Sequence, residues 1–115
     1  MKEIISLYKY NSVRACGEVL AQMVAECVQI PRDAVIVPLP TIGRHIRERG
    51  FDHTAHLARH LARLFGCRMR RILVRNNNCT QVGASLMERQ VQAKTAYALK
   101  KDVDRLRSYY LVDDV

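Results

Sequence analysis

The sequence predicts an α/β fold in which a largely parallel, twisted sheet is flanked by helices. Helical and strand-like segments alternate along the chain, a pattern typical of parallel sheets. The segment Val35–Val37 is continuously β-branched and therefore predicts a strand buried on both faces. The chain has 115 residues, of which 49% are apolar. That is enough apolar surface for one globular domain with its own core.

Two helices flank this strand in the predicted order. Apolar residues at helical spacing predict the first over Ser12–Gln29. The second is predicted over Asp52–Phe65, with Asp52 capping its start and Gly66 its end. Residues 41–50 are polar and arginine-rich, so we expect them to form a connecting loop before the second helix.

The second half of the chain continues the alternation. We expect a strand over Met69–Arg75, a loop over Asn76–Gly83 and a short helix opened by the capping box Ser85–Glu88. Tyr97–Leu99 predicts a short strand, and Ser108–Val112 a stronger one because of its tyrosines and aliphatic residues. In such sheets, ligands bind outside the carboxyl ends of the strands.

The positive charge is concentrated in the middle of the sequence. The net charge is +8, and the segment Arg44–Arg75 holds nine arginines against Glu48 and Asp52. A field of this kind attracts a polyanion. The charge alone leaves three alternatives open: a nucleic acid, a phosphorylated small molecule, or a solvated basic face without a ligand.

The cysteines and histidines give no metal-site pattern. No pair of cysteines has the C-x-x-C spacing of zinc sites, and Cys16 and Cys27 are expected to be small core residues of the first helix. The histidines His53, His56 and His60 share one face of the second helix. A metal site on this face is the alternative, but no acidic or cysteine partner stands at matching spacing, so we expect a solvent-facing stripe there.

Two features concern location and the end of the sequence. No apolar run approaches the roughly 18 residues of a membrane span, and the start lacks a secretory signal, which predicts a cytoplasmic protein without membrane contact. The sequence ends in Leu111-Val112, then Asp113-Asp114 and Val115. We expect an inner strand, followed by carboxylates that face sugar hydroxyls or Mg²⁺. We also expect the domain to be incomplete, with an open sheet edge that favours homo-oligomers.

Four stretches, in order and with matching spacing, resemble the ComF/GntX group of phosphoribosyltransferase-like proteins. They are Val35-Ile-Val-Pro-Leu-Pro40; Arg47-Glu-Arg-Gly-Phe-Asp52 with Leu57-Ala58; Thr80-Gln-Val-Gly83 with Ser85, Glu88-Arg89 and Ala96-Tyr97; and Leu111-Val-Asp-Asp-Val115. The chain departs from the family at Asp52-His53, where Asn-Gln is usual, at Ala84, where Leu is usual, and at Gln92, where Asn is usual. The cysteine-rich zinc module of many relatives and the threonine-threonine-glycine loop after the acidic pair are absent from the sequence.

The resemblance implies a type I phosphoribosyltransferase fold and phosphoribosyl pyrophosphate, with Mg²⁺, as the substrate. Asp113 and Asp114 match the acidic pair that holds the ribose hydroxyls, and both are candidate metal ligands. The loop after the first strand matches the pyrophosphate-facing loop, and the segment 76–84 matches a mobile hood. The remaining substrate-binding candidates are Pro38, Leu39, Pro40, Arg44, Arg47, Arg49, Gln81, Gly83 and Arg89, with Arg49 foremost.

The expected reaction is glycosyl transfer, in which an acceptor displaces pyrophosphate at the anomeric carbon of the ribose. The sequence offers no obvious general base and does not identify the acceptor. We expect the intact protein to bind the phosphorylated sugar, and we expect the 115-residue chain to bind it much more weakly or not at all and to be inactive. The alternative is a basic nucleic-acid-binding or DNA-uptake accessory module, since some relatives are associated with competence.

Overall fold

The computed structural model describes residues 2–10, 14–76, 85–100 and 103–113. Its elements follow one another in a mixed α/β order. They are α1 (Lys2–Tyr10), α2 (Ala15–Cys27), β1 (Val35–Pro38), α3 (Gly43–Arg49), α4 (His53–Phe65), β2 (Arg68–Met69), β3 (Leu73–Arg75), α5 (Leu86–Ala96), β4 (Tyr97–Leu99) and β5 (Tyr109–Val112).

A three-stranded parallel sheet lies at the centre, in the order β2-β1-β5. Val35 at the start of β1 pairs with Arg68 on one side and Tyr109 on the other. The predicted α/β class with a parallel sheet flanked by helices is therefore confirmed. A second, antiparallel pair joins β3 to β4, which the sequence did not predict.

Strand β1 is buried on both faces, as its β-branched residues predict. Ile36 joins the larger apolar cluster, formed with α1, α2 and α4, while Val35 and Val37 join a smaller cluster around Ile72. Successive strand residues point to opposite faces, so one short strand supports both clusters. Burying side chains of this size contributes roughly 1.5–3 kcal/mol each, which explains why a four-residue strand can organise the sheet.

Helix α4 has the ends that the sequence predicts. The Asp52 carboxylate accepts a hydrogen bond from the backbone N–H of Ala55 at the start of the helix. At the other end Gly66 has a φ of 66°, a left-handed conformation that glycine adopts without strain. The capping box of α5 is also present, between Ser85 and Glu88, although this helix of 11 residues is longer than the short one expected.

Several predictions about local structure are wrong. Residues 41–50 contain helix α3 rather than only a loop, and α1 was not predicted at all. The single strand expected over Met69–Arg75 is two strands that belong to two different sheets. The last strand is not an inner one: within the described residues, β5 has β1 on one side and no strand on the other, and Leu111 is 64% exposed.

The expectations for the histidines and one cysteine are also corrected. His53 is 3% exposed and His56 is half-buried, because Tyr8 of α1 and the α2 backbone at Gly17 pack against the face that was expected to meet solvent. Cys27 is exposed, whereas Cys16 packs against the larger cluster as expected. Within the described ranges, no helix has the length and apolar character needed to cross a membrane.

Candidate functional site

A cavity of about 300 Å³ opens at the carboxyl ends of β1 and β5. This is the edge at which ligands bind in parallel sheets, and the volume lies at the lower end of the range for small-molecule sites. Residues from both halves of the chain line it. They are Lys9, Leu39, Pro40, Thr41, Ile42, His45, Arg49, His53, Thr54, Arg75, Tyr97 and Asp113.

The register of β1 and β5 brings two distant segments together at this edge. Pro38 lies opposite Val112, and the backbone N–H of Leu39 donates to the Val112 carbonyl oxygen over 2.9 Å. This bond extends the ladder by one step beyond β1. It therefore places Asp113 beside the Leu39–Pro40 loop, although more than 70 residues separate them in the sequence.

Arg49 reaches the cavity because α3 ends directly after it. Gly50, with a φ of 77°, ends the helix, and its N–H donates to the Ile46 carbonyl oxygen over 2.8 Å. The Arg49 guanidinium lies 2.9 Å from His53 Nδ1 and 3.3 Å from His45 Nδ1. A guanidinium can only donate, so both of these ring nitrogens accept. The two histidines thus orient the cation toward the cavity.

Asp52 fixes the loop after β1 against the start of α4. Besides capping the helix, its carboxylate accepts from Thr41 Oγ1 over 3.2 Å and from Arg71 Nη1 over 3.1 Å. Thr41 Oγ1 also lies 3.3 Å from Thr54 Oγ1. Thr41 and Thr54, which both line the cavity, are therefore held by a contact with each other and by the hydrogen bond from Thr41 to Asp52.

Part of the cavity lining comes from the antiparallel pair. Arg75 on β3 donates from Nη1 to Tyr97 Oη on β4 over 3.2 Å, and its guanidinium lies 5.5 Å from the centroid of the same ring. Arg75 and Tyr97 are direct partners in the strand register. The pairing therefore adds a second arginine to the cavity wall.

Four of the predicted site residues meet in this cavity: Leu39, Pro40, Arg49 and Asp113. Pro38 lines a smaller neighbouring cavity of about 40 Å³, together with Leu39, Pro40, Asp52, Arg71 and Leu73. Gln81, Gly83 and Asp114 lie outside the described residues. Of the hood segment 76–84, only Asn76 is described.

Three other predicted residues lie away from the cavity lining. Arg44 is exposed on α3 and pairs with Glu48 over 2.7 Å; this hydrogen bond lowers the pKa of the Glu48 carboxyl and raises that of the guanidinium. Arg47 is exposed on the same helix. Arg89 is exposed on α5, with its backbone N–H bonded to the Ser85 carbonyl oxygen.

Sequence reasoning missed several lining residues, chiefly Lys9, His45, His53, Arg75 and Tyr97. Arg75 lies in the basic segment and Tyr97 in a stretch of the family resemblance, so a signal existed for both. Lys9 had none, because its helix was not predicted and it stands about 40 residues before Arg49. Its position follows only from the packing of α1.

Within the described parts of the chain, no group of three or more His, Cys, Asp or Glu side chains could hold a metal ion. The cavity lining contains one described carboxylate, that of Asp113. Mg²⁺ in proteins is commonly held by one or two carboxylates together with substrate phosphates. The described residues therefore fit a metal that arrives with a phosphorylated ligand and do not form a complete protein cage.

Comparisons of this chain with protein-family models, with curated proteins and with solved structures give no match.

Proposed function

We propose that this chain is a phosphoribosyltransferase-like protein that binds phosphoribosyl pyrophosphate in the cavity at the carboxyl edge of the sheet. One observation carries the proposal. Arg49 and Asp113 come from two separate stretches of the family resemblance, and both line this one cavity. The first is a cation suited to phosphate oxygens, and the second is an acceptor suited to sugar hydroxyls.

The charge of the cavity supports an anionic ligand. Three basic side chains, those of Lys9, Arg49 and Arg75, line it, whereas Asp113 supplies the one carboxylate among the described lining residues. Guanidinium groups bind phosphate oxygens in a two-pronged geometry. The Asp113 carboxylate lies at the sheet edge beside Leu39, where it would accept hydrogen bonds from the ribose. The cations then face the phosphates.

Mg²⁺ fits the proposal as a companion of the substrate. Asp113 would supply one protein oxygen, and the remaining ligands would be water and phosphate oxygens. When bound, the ion would neutralise charge on the pyrophosphate. Asp114, the second member of the expected pair, lies outside the described residues.

The proposed reaction is a displacement at the anomeric carbon of the ribose. The bond from that carbon to the pyrophosphate oxygen breaks, and its electron pair leaves with the pyrophosphate, while an acceptor nucleophile forms the new bond. Glycosyl transfer of this kind has an oxocarbenium-like transition state. The contribution of Arg49 is to stabilise negative charge on the leaving group, and that of Asp113 is to orient the sugar.

Isothermal titration calorimetry with phosphoribosyl pyrophosphate and Mg²⁺ tests this proposal on the 115-residue chain. We expect weak but saturable binding by this chain, which weakens about a further tenfold in Arg49→Gln and in Asp113→Asn, since each loses hydrogen bonds to a charged group. Arg47→Gln is the matched control, because Arg47 is exposed on the same helix as Arg49 and does not line the cavity.

Either of two results would overturn the proposal: no heat of binding to the folded wild-type chain at millimolar ligand, or equal losses in Arg47→Gln and Arg49→Gln. Ribose 5-phosphate serves as a second ligand. If it binds as tightly as phosphoribosyl pyrophosphate, the pyrophosphate group contributes nothing and the assignment of Arg49 is wrong.

The basic surface favours a second candidate, a double-stranded nucleic acid. Residues 53–87 contain no Asp or Glu. In this stretch Arg59, Arg63, Arg68 and Arg70 are exposed, and none is in an ion pair within the described structure. The aromatic side chains nearby are Phe51, which is 8% exposed, and Phe65, which packs on the core, so contacts would be to phosphates rather than to stacked bases.

The salt dependence of duplex DNA binding tests this second candidate. Because each phosphate contact contributes about 0.9 to the slope of log affinity against log salt concentration, removing two contacts in Arg59→Gln/Arg63→Gln reduces the slope by about 1.8. Lys2→Gln/Arg105→Gln removes the same charge from exposed positions outside residues 53–87 and should leave the slope nearly unchanged. Equal changes in both variants, or no binding at low salt, would exclude this candidate.

A further inference from the structure

One buried tyrosine of helix α1 forms hydrogen bonds with the start of α4. Tyr8 is 1% exposed, and its hydroxyl donates to the backbone carbonyl oxygen of His53. The same hydroxyl lies 2.9 Å from His56 Nδ1. Since a phenol has one proton, and it is given to the carbonyl, His56 Nδ1 is the donor in the second bond.

The ring of Tyr8 is fixed as well as its hydroxyl. It packs edge-on against Phe51 at a centroid distance of 5.5 Å, and it lies 5.9 Å from the ring of His56. An aromatic contact of this kind contributes roughly 0.5–1.5 kcal/mol beyond the area it buries. The last turn of α1 is therefore held against the start of α4 and against Phe51, which lies two residues before that helix.

The same residue of α4 serves both α1 and Arg49. The backbone of His53 accepts from Tyr8, while its buried ring lies 2.9 Å from the Arg49 guanidinium. Lys9, which follows Tyr8, is half-buried and lines the cavity. His53 of α4 thus helps to position both Lys9 of α1, through Tyr8, and Arg49 of α3.

We propose that Lys9, positioned by Tyr8, is an anion-binding residue of the cavity, and that it binds the pyrophosphate group together with Arg49 and Arg75. This inference rests on the proposed function and assigns its pyrophosphate subsite. The three cations come from α1, α3 and β3 and line one cavity. A diphosphate presents oxygens on two phosphorus atoms to the basic side chains of one cavity, whereas a single phosphate presents oxygens on only one.

Titration with inorganic pyrophosphate and with orthophosphate, at fixed ionic strength, tests the role of Lys9. We expect wild type to prefer pyrophosphate and Lys9→Gln to lose about tenfold in pyrophosphate affinity, the effect of one charged contact. Lys9→Arg keeps the charge and should recover part of the loss. Lys2→Gln removes an exposed cation from the same helix and should bind like wild type.

Tyr8→Phe tests the positioning role through a double-mutant cycle. If Tyr8 acts through Lys9, the losses of pyrophosphate affinity in Tyr8→Phe and Lys9→Gln are less than additive in the double variant. Additive losses would mean that Tyr8 supports folding only, and the positioning claim would be wrong. Near-ultraviolet circular dichroism first confirms that each variant is folded.

The outcomes separate this inference from the function on which it rests. If wild type binds phosphoribosyl pyrophosphate and Lys9→Gln binds pyrophosphate equally well, the role of Lys9 is refuted while the proposed function stands. If pyrophosphate binding depends on Lys9 but phosphoribosyl pyrophosphate does not bind wild type, the proposed function fails and the anion site remains.

Discussion

Gly17 lies where α2 packs closely against His56 of α4 and Tyr8 of α1. A Cβ atom at this position would lie 2.7 Å from His56 Nδ1, 2.9 Å from His56 Cε1 and 3.0 Å from Tyr8 Cε2. Both neighbours are held by the Tyr8–His56 hydrogen bond, so neither side chain can move aside without losing it. Glycine is required here for space.

We therefore expect Gly17→Ala to destabilise the protein by about 1–3 kcal/mol, the usual cost of overpacking a core. Urea denaturation measures the change. Gly43→Ala is the matched control, since Gly43 also lies in a helix and the nearest atom to its added Cβ is Arg47 Nη1 at 3.7 Å. Alanine there should be neutral or stabilise, and equal destabilisation of both variants would contradict the steric explanation.

Residues of the site differ in how far the sequence predicts them. Arg49 and Asp113 are predictable because each belongs to a short stretch with a recognisable pattern, and the order of elements places both at one sheet edge. Lys9 is not predictable, since it reaches the cavity only through the packing of α1, in which Tyr8 contacts α4. Arg44 and Arg47 share the pattern of Arg49, but a helix turns them away from the lining.

At the scale of elements, long amphipathic segments are predicted well and short ones poorly. Helix α4 has a wide buried face and capping residues at both ends, so its sequence carries independent signals. Helix α3 has seven residues, none of them buried, and a single Arg44–Glu48 pair at the helical i,i+4 spacing was its only local indication. The sequence predicts one strand in place of β2 and β3, because composition does not show where the chain passes from one sheet to another.

The junction of α1 and α4 is expected to make stability depend on pH. Burial lowers the pKa of His56, and the charges of His60, Arg14 and Arg59 lower it further. The folded chain therefore binds this proton less readily than the unfolded chain, whose histidine titrates near 6.5. The stability of the folded chain that depends on neutral His56 is therefore fully present above that pH. It is lost as the pH falls below it, toward the lowered pKa of His56 in the folded chain.

Urea unfolding at pH 7.5 and at about pH 5.5 measures this loss, since the lower value lies one unit below the ordinary histidine pKa. We expect wild type to be less stable at the lower pH and His56→Gln to show a smaller difference between the two. A side-chain amide keeps an N–H donor for Tyr8 and has no proton to gain. An unchanged difference in His56→Gln would show that another group is responsible.

At the scale of the whole molecule, the alternation of elements predicts the parallel sheet, but the sequence does not predict the strand order. The acidic end of β5 suggested an inner strand, whereas β1 occupies the centre of the described sheet. The reason is visible in burial: Val35, Ile36 and Val37 are all at most 1% exposed, while β5 shows Leu111 to solvent. Continuous burial, rather than the residues that follow a strand, identifies the central position.

The cavity is lined by residues from Lys9 to Asp113, nearly the full length of the chain. It can therefore form only late in synthesis and folding. Contacts between such distant segments form slowly, because closing long loops costs entropy before any contact offsets it. A chain on the ribosome whose β5 has not yet emerged therefore lacks the complete cavity. A ligand that binds in this cavity would stabilise the entire native state by mass action, and a saturating concentration of it would slow proteolysis.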